Sequence, residues 1–137
     1  MIARYTRPAM GKIWSEENKY VCWLEVELAA SEALAEHGDV PAEAAAALRA
    51  HAAVDVDRLN EIEREVKHDV IAFTTTVAEK MAAAGKPEAS RWFHYGMTSN
   101  DVVDTAQALQ VKQSAALLIA GVDQLLDSLK RRAHEFK

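Results

Sequence analysis

The sequence contains few of the residues that interrupt helices, and this scarcity limits its fold class. Its 137 residues include only 5 glycines and 3 prolines, and aromatic residues make up 7% of the chain. Half of the chain is nevertheless apolar, and alanine is abundant. Because alanine has the highest helix propensity, and glycine and proline the lowest, this composition predicts an all-α protein. The length is sufficient for one hydrophobic core.

Cysteine, long apolar runs and excess positive charge are also scarce. The single cysteine, Cys22, has no partner for an internal disulfide and lies in a helical apolar pattern, so we expect a core residue and not a nucleophile. The N-terminus lacks the apolar run of a signal peptide, and no segment has the ~20 apolar residues needed to cross a bilayer. We therefore expect a cytoplasmic protein. A net charge of −5 argues against a general nucleic-acid surface but allows a local nucleotide site.

Apolar residues recur at helical spacing along most of the chain. The pattern predicts helices from after Ser15 to His37, from Pro41 to about Ala52, from Asp55 or Asp57 to Val66, and along the stripe Val70, Phe73, Val77 and Met81. Residues 2–11 are predicted to be extended, because Pro8 disfavours helical backbone at Arg7. The sequence leaves open whether the chain breaks or bends at residues 67–69.

Residues 101–137 form the longest uninterrupted helical pattern, with no proline and one glycine. Near-heptad spacing relates Val111, Ala115, Leu118, Val122, Leu125, Leu129 and Ala133. Further apolar residues widen this surface, and the preceding helices are too short to cover it. We expect the long helix to pack against other chains or against sequence beyond residue 137, and the chain to be part of a longer protein.

The loop that precedes this helix is a candidate anion site. Thr98, Ser99 and Asp101 are capping residue types in capping-box-like spacing. A helix start has unpaired N–H groups and partial positive charge, so it can receive an anion, and the two hydroxyls could add donors. The alternative is that these residues only cap the helix.

Two further segments could bind ligand. Arg4 could bind a phosphate while Tyr5 packs on a sugar or base, although both could simply be surface residues. Lys67, His68 and Asp69 place an imidazole beside an acid, where it could move protons, or they could form a helix junction capped by Asp69. The remaining candidates, His37, His51 and His134, lack metal-ligand spacing and are predicted to lie on the surface, so we expect no metal site.

Taken in order, these segments resemble the N-terminal region of the bacterial adenylosuccinate lyases, a family of the fumarase–aspartase superfamily. The similar segments are MI-x-RY-x-RP at residues 1–8, WLEVE at 23–27, KHDVIAF at 67–73 and HYGMTSNDVVDT at 94–105. The resemblance implies a mostly helical homotetramer whose long central helices form a bundle. It divides this chain into an N-terminal helical domain, residues 1–100, and the first part of the central bundle domain, residues 101–137.

The resemblance also implies a reaction in purine nucleotide biosynthesis. Fumarate is eliminated from adenylosuccinate to give AMP, and from the succinylated aminoimidazole carboxamide ribotide, without metal or organic cofactor. Implied roles are nucleotide binding for Arg4 and Tyr5, acid–base assistance for His68 with Asp69 beside it, carboxylate binding for Thr98 and Ser99, and support for Lys67 and Asp101. The family's general-acid histidine and general-base serine lie downstream, so we expect residues 1–137 alone to be inactive.

Two alternatives stay open. An argininosuccinate lyase or a cycloisomerase-type relative would share the Thr-Ser loop, although the segments at residues 4–5 and 67–69 favour the adenylosuccinate branch. A non-catalytic helical interaction module would use the long helix as a dimer seam and the polar loop as a cap. That alternative requires the natural protein to end after Lys137.

Overall fold

The computed structural model describes residues 2–137, and within them the chain is helical with no strand. The α-helices are α1 (Pro8–Ile13), α2 (Glu16–His37), α3 (Ala42–His51), α4 (Val56–Val66), α5 (Asp69–Ala83) and α6 (Ser99–Glu135). Two 3-10 helices cover Ala3–Tyr5 and Pro87–Trp92. This architecture confirms the all-α prediction.

The opening segment is helical, and the prediction that residues 2–11 are extended is wrong. A 3-10 turn precedes α1, which begins at Pro8. Proline suits a first helical position because its φ is already helical and its missing N–H has no partner there. Arg7 has the extended backbone that proline imposes on the residue before it, with φ −66° and ψ 136°.

Local signals determine the other helix ends. Ser15 Oγ accepts the N–H of Asn18 at 3.2 Å, and α2 ends at Gly38 with φ 94°. Asp55 Oδ1 accepts the N–H of Arg58 at 3.1 Å, so Asp55 caps α4. Between α4 and α5 the chain breaks at Lys67, whose φ is 56°.

An aromatic cluster forms the centre of the core. The Phe73 ring lies 5.5 Å from Trp23 and 5.6 Å from Phe93, measured between centroids, and stacks on Tyr20 at 6.1 Å. The predicted α5 stripe is buried throughout. Cys22 is also buried, as predicted, and burial raises the pKa of its thiol, which disfavours the nucleophilic thiolate.

Helix α6 is packed only along its first part. Val102 and Ala106 are fully buried, and the Gln110 amide donates to the Ile13 carbonyl at 2.8 Å. Further along, the apolar side chains that are more than half exposed are Val111, Leu118, Ile119, Val122, Leu125 and Leu129. The described part of the chain therefore leaves the predicted seam uncovered. None of its helices is long and apolar enough to cross a membrane.

Candidate functional site

The loop before α6 is organised by Asp101. Its Oδ2 accepts the Thr98 backbone N–H at 2.7 Å and the Thr98 hydroxyl at 2.9 Å. These hydrogen bonds lower the pKa of the Asp101 carboxyl, with a smaller contribution from the charge of His94. Thr98 occupies the N-cap position of α6, as predicted, whereas Ser99, also predicted as a capping residue, is the first residue of the helix. The Ser99 hydroxyl makes no hydrogen bond within residues 2–137, so it is the donor that a ligand could use without breaking a contact.

A buried contact between Glu27 and His94 beneath this loop was not predicted from the sequence. Glu27 on α2 has 0% exposure; its Oε2 accepts the His94 backbone N–H at 2.9 Å, and its Oε1 lies 2.6 Å from His94 Nδ1. Burial raises the pKa of the Glu27 carboxyl, and the contacts with His94 oppose that rise. One sequence feature could have indicated a buried acid: Glu27 follows Trp23 by four residues, which places both on the buried face of α2.

His68 lies at the junction between α4 and α5 and caps α5. Its Nδ1 accepts the N–H of Ile71 at 3.3 Å, and its side chain is 45% exposed. Asp69 Oδ1 accepts the N–H of Val70 at 2.8 Å and lies 3.8 Å from His68 Nδ1, which is too long for a hydrogen bond. The alternative prediction that Asp69 caps α5 is therefore wrong, because Asp69 is already the first helical residue.

The N-terminal candidates lie on the surface. The Arg4 guanidinium carbon is 4.8 Å from the centre of the Tyr5 ring, and the Tyr5 side chain is 74% exposed. Within the described residues, Arg4 forms no ion pair with an acid. Its charge is therefore balanced only by solvent and by the quadrupole of the tyrosine ring.

Within residues 2–137, the candidate residues are not joined by direct contacts into one site. Across residues 2–137, no hydrogen bond or ion pair joins the segments around Arg4, His68 and Thr98. A cavity of about 350 Å³ lies between α2 and α6, lined in part by Trp14 and Lys19, but none of the predicted site residues lines it. Three exposed segments therefore offer partial surfaces, each at the start of a helix or beside one.

The surrounding histidines lie outside these surfaces. His37, His51 and His134 are exposed, as predicted, and His37 Nδ1 lies 2.9 Å from Asp39. Among the residues that the structure describes, no group of three histidine, cysteine or acidic side chains is arranged to hold a metal ion.

Comparison with known sequences gives matches over nearly all of the chain. A family model described as "Lyase" matches residues 3–137. Adenylosuccinate lyases of Streptococcus mutans, Bacillus subtilis and Staphylococcus saprophyticus are 47%, 44% and 44% identical over all 137 residues. Each alignment covers 31% of the relative. The chain thus spans about a third of the length of the curated relatives it matches.

Solved structures show the same fold. The 3-carboxy-cis,cis-muconate lactonizing enzyme of Pseudomonas putida matches with a TM-score of 0.84 and 32% identity over 96% of this chain and 30% of that one. The fumarate lyase of Mesorhizobium sp. BNC1 matches with a TM-score of 0.72 and 28% identity over 90% of this chain and 29% of that one.

Proposed function

Because the chain belongs to the lyase family whose model matches residues 3–137, we propose that it forms the N-terminal part of an adenylosuccinate lyase. The observation that carries the proposal is the 44–47% identity to three adenylosuccinate lyases along the whole chain. The muconate lactonizing enzyme shares the fold at a lower identity of 32%. The cycloisomerase alternative therefore has weaker support.

The proposed reaction cleaves adenylosuccinate to AMP and fumarate in purine nucleotide biosynthesis. The same enzyme would cleave the succinylated aminoimidazole carboxamide ribotide to fumarate and the carboxamide ribotide. A proton leaves the carbon next to a carboxylate, so negative charge develops there while the departing nitrogen gains a proton. The reaction needs a base, an acid and fixed donors for the anions, and it needs no metal or organic cofactor.

We assign acid–base assistance to His68. Its Nδ1 accepts the N–H of Ile71, so a neutral ring carries its proton on Nε2. The half-exposed ring can present that proton to a substrate. The carboxylate of Asp69 lies on the same exposed turn and could accept a hydrogen bond from the substrate.

We assign the succinyl carboxylate to the start of α6. There the helix dipole favours an anion, and Ser99 has an uncommitted hydroxyl. The Thr98 hydroxyl donates to Asp101 and would have to rotate toward the ligand. Asp101 supports the loop by holding the Thr98 backbone N–H.

We assign the nucleotide end of the substrate to the N-terminal segment. Arg4 has no acidic partner in the described structure, so its guanidinium can bind the phosphate. The exposed ring of Tyr5 can pack on the ribose. Lys67, with its left-handed backbone beside His68, would add positive charge as a supporting residue.

Assembly completes the proposal. The uncovered apolar face of α6 supports a central helical bundle shared between subunits. From the family resemblance, we propose that this assembly is a homotetramer in the cytoplasm. In this scheme residues 1–100 form the N-terminal domain and residues 101–137 begin the bundle. The general-acid histidine and general-base serine expected downstream are not in this chain, so residues 1–137 alone would be inactive.

The test is to express the complete reading frame and measure fumarate release from both purine substrates. Argininosuccinate and a carboxymuconate serve as comparison substrates, and residues 1–137 alone serve as the control. We expect turnover of the two purine substrates by the complete protein only. Turnover of a comparison substrate without turnover of adenylosuccinate would favour a relative, whereas a folded protein inert on all four would favour an interaction module.

A further inference from the structure

The buried carboxyl of Glu27 serves a purpose beyond filling space. Burying an acid is unfavourable unless its oxygens are hydrogen-bonded. An apolar side chain of similar volume would pack at this position of α2 without that penalty. Both oxygens of Glu27 are instead directed at one residue of the loop, His94, through contacts of 2.9 and 2.6 Å. We therefore attribute the presence of a buried carboxyl at Glu27 to its two contacts with His94.

Glu27 holds the loop at a point of unfavourable backbone geometry. His94 has φ 62°, in a region that residues with a side chain rarely occupy. The hydrogen bond from its backbone N–H to Oε2 offsets this strain. Thr98 and Ser99 follow four and five residues later, so the position of His94 sets the direction in which the loop enters α6.

Glu27 also determines the state of the imidazole. Since Oε2 is occupied by the backbone N–H, one proton lies between Oε1 and Nδ1. An ionised carboxylate can only accept hydrogen bonds, so with Glu27 ionised the proton of this contact lies on Nδ1. The His94 side chain is 23% exposed, and Nε2 has no hydrogen bond within residues 2–137.

We propose that Glu27 is a positioning residue, which fixes the His94 proton on Nδ1 and holds the loop that carries Thr98 and Ser99. The expected effect of Glu27 on catalysis rests on the proposed function. Its effect on which His94 ring nitrogen carries the proton does not. Glu27 touches no substrate in this scheme and acts only through His94.

Replacing Glu27 by glutamine gives a specific test. Glutamine has the same shape but one oxygen and one amide nitrogen. Its oxygen must accept the His94 N–H, so its nitrogen faces Nδ1 and can only donate to it. The ring proton should therefore move to Nε2. Glu25→Gln is the matched control, because Glu25 lies on the same helix but is exposed and pairs with Arg49 at 2.8 Å.

The measurement combines ring spectroscopy with kinetics on the complete protein. Magic-angle-spinning NMR of ¹⁵N-histidine-labelled protein reports the ring proton, and the His94 signal is assigned by its loss in His94→Gln. We expect Glu27→Gln to move the proton to Nε2. We expect kcat/KM for fumarate release to fall roughly 10- to 100-fold, the range seen when partners that orient a metal-bound histidine are lost. Glu25→Gln should change neither.

Several results would overturn the proposal. One is an unmodified protein whose His94 proton lies on Nε2 alone, and this measurement remains decisive if Glu27→Gln fails to fold. Another is a moved proton with unchanged kcat/KM, or an equal loss of kcat/KM in Glu25→Gln. If the unmodified protein does not cleave adenylosuccinate, the proposed function fails, and the ring spectra still decide whether Glu27 sets the state of His94.

Discussion

Replacing His68 by asparagine separates its observed role as a helix cap from its proposed role in proton transfer. The His68 ring accepts the N–H of Ile71 at 3.3 Å. Asparagine is among the preferred N-cap residues and can accept the same N–H, but its amide does not titrate near neutral pH. His68→Ala removes both functions. His68→Asn therefore keeps the helix cap and His68→Ala loses it, while both variants lack the imidazole.

The expected magnitudes are well separated. Losing an N-cap costs about 1 kcal/mol, so His68→Ala should lower the free energy of unfolding by that amount and His68→Asn by much less. Because the side chain is 45% exposed, little packing energy is added to this value. Losing a general acid or base lowers kcat about 10²- to 10⁴-fold, equivalent to roughly 3–5 kcal/mol of activation free energy. A loss of 1 kcal/mol from a domain stable by about 5–15 kcal/mol leaves it folded, so it cannot produce such a drop.

The assay is fumarate release by the complete protein, with urea denaturation of each variant. Ser15→Ala is the control, because Ser15 caps α2 through the N–H of Asn18 and its loss should have a similar effect on stability. We expect both His68 variants to lose activity and Ser15→Ala to retain it. If His68→Asn keeps near-normal kcat, His68 is a cap only, and its proposed catalytic role is refuted.

Three further predictions concern stability and association. Phe73→Ala removes the central aromatic ring of a fully buried cluster and should lower the free energy of unfolding by about 3–5 kcal/mol in urea denaturation; a loss below 1 kcal/mol would contradict the described core. The contacts from Thr98 depress the pKa of Asp101, so the stability they give is complete above the unfolded-state pKa of about 3.9 and is lost as pH falls through the lower folded-state pKa. NMR titration should give Asp101 a midpoint below 3.9, and a midpoint at or above that value would show that the capping contact is absent in solution. Replacing Leu118 and Leu125 by lysine should reduce self-association of residues 1–137 in sedimentation velocity, since both are more than half exposed; an unchanged distribution would mean that this face is not the contact.

The helix ends were predictable because their signals are local. Ser15 and Asp55 accept N–H groups three residues ahead, and Gly38 provides the left-handed backbone that ends α2. The opening segment was wrongly predicted because the rule for the residue before proline was extended to its neighbours. It applies only to Arg7, whereas Pro8 itself begins a helix.

The support of the candidate site was not predictable in the same way. Glu27 and His94 are 67 residues apart and meet only because α2 packs against the chain leading into α6. Sequence periodicity can place an acid on a buried helix face, but it does not indicate which loop will supply the partner. The candidate residues themselves were identified from short sequence motifs that follow one another in a characteristic order. Their roles stay predictions until substrate binding is measured.

The geometry of α6 connects the proposed site with the proposed assembly. From Val111 to Leu129 the exposed apolar face extends about 27 Å along the helix. At the other end of the same helix, Ser99 is only partly buried at the first helical position, and the His68 side chain is 45% exposed. Elimination next to a carboxylate is helped when water is excluded and the donors are fixed, and neither surface achieves this alone. A neighbouring subunit that packs on the apolar face would also cover the N-terminal end of α6 and exclude water from it. We therefore expect the Leu118 and Leu125 replacements, made in the complete protein, to reduce kcat together with assembly although both residues lie far along the helix from Ser99. Retained kcat in a dissociated protein would show that the site needs no other subunit.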